Sequence, residues 1–251
     1  MNTARSIVFF LWLYGTMAVY TIVGLPALIF SRAGSREVMR AYCRAVLFGL
    51  RYILNIRVEV RGRKHIPDGP LIIAGKHQAM LDIFIPLLIV HDPIVVMKRE
   101  LLWYPGLGWY ALRGEMIAIK RDGAAKTVKH MIGLAKKRVK AGAGRQLVIY
   151  PEGTRSLPSA KATYQSGGLR AFYKALDLPI LPIATNSGLC WKARGITRRP
   201  GHVVYEALPL VSSSLNHNDM LEQVETALET ASDRLLDEGL AAQNRTRADL
   251  P

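Results

Sequence analysis

Hydrophobic residues fall in two distinct rhythms along the chain. Up to residue 54 the rhythm is helical. Ser6 to Phe30 is a run of 25 residues without a charge, and residues 35–54 set Val38, Tyr42, Val46, Leu47, Leu50 and Ile53 on one side of a second helix, with arginines elsewhere. Beyond Asn55, short apolar strands at 57–61, 71–75, 93–97, 115–119, 146–150, 180–184 and 202–206 alternate with helical stretches. That alternation predicts an α/β fold with a mostly parallel central sheet flanked by helices. The helix predicted at 124–140 turns Ala125, Val128, Met131, Ile132, Ala135 and Val139 inward and its lysines outward. The last, 216–240, buries Leu221, Val224, Leu228, Leu235 and Leu236 and is expected to be structural.

The uncharged run is long enough, at about 37 Å as a helix, to cross a hydrocarbon core of about 30 Å. Gly15, Gly24 and Pro26 interrupt it, and Arg32, Arg36, Arg40 and Arg44 follow it. A secretory signal fits less well, because the run exceeds an ordinary signal core and its best cleavage site is a poor Thr16-Met17-Ala18. The expectation is a membrane-seated helical hairpin over residues 1–54, its second helix lying in the interface, followed by one α/β domain over 55–251. The arginine excess places that domain on the cytoplasmic side of the inner membrane.

Composition narrows the classes further. Half of the 251 residues are apolar and 21 % are charged, which excludes both a disordered chain and a polytopic membrane protein. Cys43 and Cys190 are too far apart in sequence for a C-x-x-C pair or a cysteine-based zinc site, and no metal or cofactor is expected. The formal charge is +15, and it is uneven. Residues 216–240 carry seven acids and one base, leaving 33 basic against 12 acidic residues, or +21, on the remainder. Such a field attracts a polyanion: nucleic acid, anionic bilayer, phosphorylated metabolite or acidic carrier protein.

Candidate chemistry gathers at two strand ends. After the strand at 71–75 comes Lys76-His77-Gln78-Ala79-Met80-Leu81-Asp82. A histidine there sits where open α/β sheets place their sites, and Asp82, five residues on, can fold back to its ring as the orienting half of a general base. On this spacing alone, a capping Asp82 and an ordinary loop histidine are the favoured description. After the strand at 146–150, Pro151 stops the ladder and Glu152-Gly153-Thr154-Arg155-Ser156 follows. Gly153 lets backbone approach a ligand, the Thr154 hydroxyl can donate to phosphate oxygens, and Arg155 offers a planar fork; a plain polar turn is the other reading.

Together the two blocks resemble the glycerolipid acyltransferase family that makes phosphatidic acid from lysophosphatidic acid. His77 and Asp82 match its His-x4-Asp motif, with Lys76 where Asn is usual, and Glu152, Gly153, Thr154 and Arg155 match its Glu-Gly-Thr-Arg motif. Pro182-Ile183-Ala184, followed by Thr185-Asn186-Ser187-Gly188, resembles a further motif. Met116-Ile117-Ala118-Ile119-Lys120-Arg121 keeps the arginine of the remaining one, although Gly114 stands one residue early and Glu115 takes its place. Lys98-Arg99-Glu100-Leu101-Leu102, with Pro105 and Gly108-Trp109, is similar to the segment between them.

The resemblance covers about residues 55–190. It implies transfer of a fatty acyl group from an acyl thioester, carried by coenzyme A or acyl carrier protein, to the sn-2 hydroxyl of lysophosphatidic acid. His77 would be the base assisted by Asp82. Arg155, Thr154, Gly153, Arg121 and Lys98 would hold the acceptor phosphate, with Glu152 orienting that loop rather than touching the anion. Glycerol 3-phosphate or lyso-ornithine lipid is the alternative acceptor. A membrane-tethered nucleic-acid binder is the reading of another class; the chain shows no helix-turn-helix, zinc-finger or RNP signature, and its basic helix lacks interleaved aromatics, so no nucleic-acid partner is expected.

Overall fold

The computed structural model describes residues 2–119, 125–139, 144–160 and 163–250. The chain opens with α1 (Asn2–Val23), α2 (Leu25–Phe30) and α3 (Arg32–Ile53), then enters the sheet through β1 (Ile56–Arg61) and β2 (Leu71–Gly75). There follow α4 (Phe84–Ile89), β3 (Pro93–Lys98), α5 (Leu107–Arg113), β4 (Ile117–Ile119), α6 (Ala125–Val139) and β5 (Gln146–Ile149). The chain closes with α7 (Ser166–Leu176), β6 (Ile180–Thr185), β7 (Gly201–Ala207) and α8 (His217–Ala241).

The seven strands run β1-β7-β6-β2-β5-β3-β4 across the sheet. Every pairing is parallel except β6 with β7. All seven predicted strands are present. β4 begins later than expected, because Glu115 adopts a left-handed backbone (φ 58°) that breaks the extended run. Its carboxylate is held by Arg32 at 2.7 Å and Arg145 at 2.6 Å.

β2, β5 and β6 form the middle of the sheet and are buried on both faces, which is why their residues are apolar without alternation. Leu71 and Ile73 face the cluster built with α1, α3 and α4, while Ile72 and Ala74 face the one built with α6, α7 and α8. Registers of Ala74 opposite Ile149 and Gly75 opposite Ile183 bring the carboxyl ends of these strands level. The loops that follow them are therefore neighbours.

α1 passes through Gly15 unbroken and stops before Gly24. Pro26, in the first turn of α2, has no N–H to continue the ladder, and Ser31 caps α3 by accepting from the Gly34 N–H at 3.0 Å. The stretch Thr3–Val23 is long and apolar enough to cross a membrane. α3 is docked on the sheet domain: Cys43, Val46 and Leu50 share one apolar cluster with Ile56, Leu71 and Ile73. Phe9 and Leu13 of α1 belong to the same cluster. Two helices, α5 and α7, are absent from the sequence pattern, the first because it is only seven residues long, the second because Gly167 and Gly168 dilute its start.

Candidate active site

Three loops meet above β6, β2 and β5. From the first, His77 Nδ1 lies 3.0 Å from Asp82 Oδ2. A carboxylate accepts, so Nδ1 carries the proton and Nε2 is left to take one. Asp82 is almost wholly buried, and five donors offset the cost. Oδ2 also accepts the backbone N–H of Gln78 at 2.6 Å and of Ala79 at 2.7 Å, while Oδ1 accepts the Ser187 hydroxyl at 2.6 Å and the Tyr205 hydroxyl at 2.7 Å. The turn Met80–Ile83 is thus capped by its own third residue, and the same carboxylate also meets the His77 ring. Tyr150, the residue after β5, stacks on the His77 ring with centroids 4.4 Å apart and donates its hydroxyl to the Asp82 carbonyl at 2.7 Å.

Burial raises the Tyr150 and Tyr205 hydroxyls well above the ordinary value of 10.0, so both remain donors. Neither stands out in the sequence. The signal for Tyr205 is a phenol at a strand position whose same-side neighbours Val203 and Ala207 are apolar: a buried hydroxyl needs a partner.

In the second loop, Gly153 holds φ 68°, a conformation that glycine adopts freely, and the turn closes with its N–H on the Tyr150 carbonyl at 3.0 Å. The turn sends its residues two ways. Glu152 goes inward: buried, it accepts the His77 backbone N–H at 3.1 Å and lies 3.5 Å from Lys76 Nζ. Burial raises its carboxyl above 4.5, with Lys76 the strongest influence in the opposite direction. Thr154 and Arg155 go outward, and Arg155 spends one donor on the Ala193 carbonyl at 2.9 Å. The loops are sewn together where Ser156 N–H donates to the His77 carbonyl at 2.8 Å and Gly188 N–H to Gln78 Oε1 at 3.0 Å.

His77, Gly153, Thr154, Arg155 and Lys98 line one cavity of about 560 Å³; Glu152 stands behind it, not in it. Lys98 is half exposed, 3.8 Å from Glu100. Arg121 lies outside the described residues. Away from the basic end, the wall is apolar: Met17 and Tyr20 from α1, Val38 and Tyr42 from α3, Phe84 and Leu87 from α4, and Leu107 and Tyr110 from α5. His77 thus stands between a cationic mouth and an apolar chamber of the size that takes a small amphiphile. Among the described residues, no group of three or more His, Cys, Asp or Glu is placed to hold a metal ion.

Comparison with known proteins agrees with this geometry. The family model described as Acyltransferase matches residues 57–186, which takes in the His77 and Gly153 loops and ends where the third begins. The chain is 33 % identical over 209 residues to a 1-acyl-sn-glycerol-3-phosphate acyltransferase of Pseudomonas aeruginosa, covering 81 % of this chain and 79 % of that one. It is 29 % identical over 174 residues to 1-acyl-sn-glycerol-3-phosphate acyltransferase alpha of Mus musculus, 68 % of this chain and 60 % of that one. The crystal structure of the 1-acyl-sn-glycerophosphate (LPA) acyltransferase PlsC from Thermotoga maritima superposes with a TM-score of 0.76 over 94 % of this chain and 98 % of that one; at 23 % identity it shares the fold. By the family model that spans half its length and the identity it holds with the Pseudomonas enzyme, the chain belongs to the acyltransferase family.

Proposed function

We propose that this enzyme acylates the sn-2 hydroxyl of lysophosphatidic acid to give phosphatidic acid, drawing the acyl group from a thioester of coenzyme A or acyl carrier protein. The observation that carries the reading is His77, oriented by Asp82, at the junction of a cationic mouth and an apolar chamber. Nε2 takes the proton as the acceptor oxygen bonds to the thioester carbonyl carbon. The carbon–sulfur bond then breaks, and the same imidazolium returns the proton to the leaving thiolate. A base so placed contributes about 10² to 10⁴ in rate, and a thiolate leaves readily, so positioning supplies most of what remains.

Arg155 and Lys98 line the mouth, and with Thr154, Gly153 and Arg121 they are the groups proposed to anchor the acceptor phosphate. Glu152 serves them indirectly, by fixing the His77 backbone. Residues 1–54 seat the domain of residues 55–251 on the cytoplasmic face of the inner membrane, where a lysolipid is reached laterally and the product stays in the bilayer. Purified enzyme given mixed lysolipids, glycerol 3-phosphate and both donors, with products read by mass spectrometry, should yield phosphatidic acid first. Preferential acylation of glycerol 3-phosphate or lyso-ornithine lipid would replace the acceptor.

A further inference from the structure

Beyond α1–α3, one segment displays apolar side chains on the scale of a membrane helix. In residues 99–113, the turn Arg99–Trp103 and α5, Trp103 is 82 % exposed, and Tyr104, Leu107, Trp109 and Leu112 are exposed with it. Among the described residues, the exposed large apolar side chains outside α1–α3 and this segment are Leu157, Ile196 and Leu210, which are scattered singly.

The segment is joined to the corner between α1 and α2. Tyr110 donates its hydroxyl to the Tyr20 carbonyl at 3.4 Å, and Arg113 Nη2 donates to the Ile29 carbonyl at 3.4 Å. Gly106 comes so near Thr21 that a Cβ there would fall well inside contact distance of its hydroxyl. The segment that carries Trp103 and Trp109 therefore lies against the corner at which Val23, Ile29 and Phe30 are also exposed. Two tryptophans and a tyrosine, bordered by Lys98, Arg99 and Arg113, are the composition of a protein surface at the headgroup boundary of an anionic bilayer. Gly106 and Leu107 also line the cavity, so the segment forms its edge.

We infer that residues 99–113 are a second membrane-inserting element, a wedge that sits in the bilayer interface beside α1–α2 and makes the lipid-side rim of the substrate cavity. The inference rests on the proposed seating of α1 and α2 in the bilayer. A bilayer, rather than a second copy of the chain, is the occupant because the segment is fastened at Tyr20 and Thr21 to the end of α1, a helix long and apolar enough to cross a membrane.

The test uses the full chain with Cys43 and Cys190 changed to alanine, reconstituted into vesicles of phosphatidylglycerol and phosphatidylethanolamine. An NBD probe is attached at Trp103→Cys, at Phe30→Cys on α2, or at Leu210→Cys. Probes at 103 and 30 should be blue-shifted and quenched by doxyl-labelled lipids at any protein-to-lipid ratio, with 210 remaining water-like. A lipid-insensitive probe at 103 beside a quenched probe at 30 overturns the wedge and leaves the membrane seat standing; insensitivity at both overturns the two together. A signal at 103 that grows with protein-to-lipid ratio and ignores the quencher assigns the face to a second copy and overturns the inference. In parallel, Trp103→Glu/Trp109→Glu should lower kcat/KM tenfold or more on acceptor embedded in vesicles while leaving it unchanged on acceptor in detergent micelles. Equal losses on both, or no loss on vesicles, would refute the role as a rim.

Discussion

Lys76, one residue before His77, reaches Glu229 on α8 with Nζ 2.5 Å from Oε1, a contact across 153 residues of sequence. Tyr164 donates to the same carboxylate oxygen at 2.7 Å, so Glu229 ties the histidine loop to the strand of chain that leads from Arg155 into α7. α8 is thus more than packing for the sheet. The lysine beside His77 is matched by an acid 153 residues away, on a helix whose sequence pattern reads as packing alone.

Replacing Lys76 should cost stability and bend its pH dependence. Lys76→Met leaves Glu152 buried without its cation; breaking such a pair costs about 3–5 kcal/mol, and the partial exposure of Glu229 sets the expectation at the lower end. Burial already raises the Glu152 carboxyl above 4.5, so in this range the folded chain holds the proton more firmly than the unfolded one. Stability is therefore lost as pH rises from 4.5 through the folded value, and without Lys76 that window widens. Urea midpoints at a series of pH values should fall more steeply with pH in the variant. A parallel displacement of the two curves would show that Lys76 does not hold Glu152 ionised.

Loss of His77 or of its orienting acid should separate chemistry from fold. His77→Ala is expected to abolish transfer in a chain that still folds, at a cost of about 1–3 kcal/mol for the donor lost to buried Asp82 Oδ2. Asp82→Asn should lower kcat by a large factor, because the amide can present its NH2 to Nδ1 and favour the wrong tautomer. Single-turnover measurements on folded protein test both, and near-native turnover in His77→Ala would remove the base assignment.

Tyr205→Phe should lower kcat by roughly tenfold with little change in acceptor KM, and should cost about 1–3 kcal/mol through the donor lost to buried Asp82 Oδ1. Ser187→Ala, which removes the other donor to that oxygen, should behave alike, and the double variant should lose more than the two singly. Additive losses in a double-mutant cycle would mean that the two hydroxyls do not act through the same carboxylate.

These residues mark what the sequence could reveal. The strand pattern was legible because a parallel sheet buried on both faces demands continuous apolar runs, and the histidine and glycine loops were legible because each follows such a run directly. Tyr205 and Glu229 stand 123 and 153 residues from their partners, and nothing local distinguishes a tyrosine in a strand or a glutamate on an acidic helix. Only the antiparallel return of β7 beside β6, and the lie of α8 over β6, bring them to the site.

Arg155→Ala should weaken use of a phosphorylated acceptor specifically. Leaving a charged group without its partner costs about 2–5 kcal/mol, which appears as a raised KM or lowered kcat/KM for lysophosphatidic acid but not for its dephosphorylated analogue. Arg121→Ala is expected to act the same way. Equal losses on the two acceptors would show that these arginines hold the loop rather than the phosphate.

Removing residues 1–30 should damage the fold as well as the membrane seat. Phe9 and Leu13 are fully buried in the cluster that holds β2, and Phe9 meets Trp191 edge-on at 5.6 Å. The Arg198 N–H donates to Ser6 Oγ at 2.9 Å, and Met17 and Tyr20 wall the cavity. Uncovering that much apolar surface, at about 1.5–3 kcal/mol per large side chain, is expected to leave the truncated chain aggregated or inactive even in detergent. A truncated chain that is soluble, monomeric and active on dispersed acceptor would show that α1 is an anchor and nothing more.

The reaction should pass through a ternary complex with no acyl-enzyme. Cys190 follows the Asn186–Gly188 loop closely enough to invite a role as nucleophile, but it is buried, and burial pushes its thiol up to about 12, where the reactive thiolate is absent at neutral pH. It does not line the cavity; Cys43 does, and its thiol is likewise pushed up to about 12 by burial. Ser187 is committed as a donor to Asp82, so its hydroxyl proton is not shared with His77. With Cys43, Cys190 and Ser187 buried or spoken for, the acceptor hydroxyl itself is the group that His77 is expected to activate. A Cys43→Ala/Cys190→Ala variant should keep most activity, and acyl donor supplied without acceptor should leave the intact mass of the protein unchanged. A stoichiometric acyl adduct that disappears with Cys190→Ala would replace direct attack by a two-step mechanism and reduce His77 to activating a thiol.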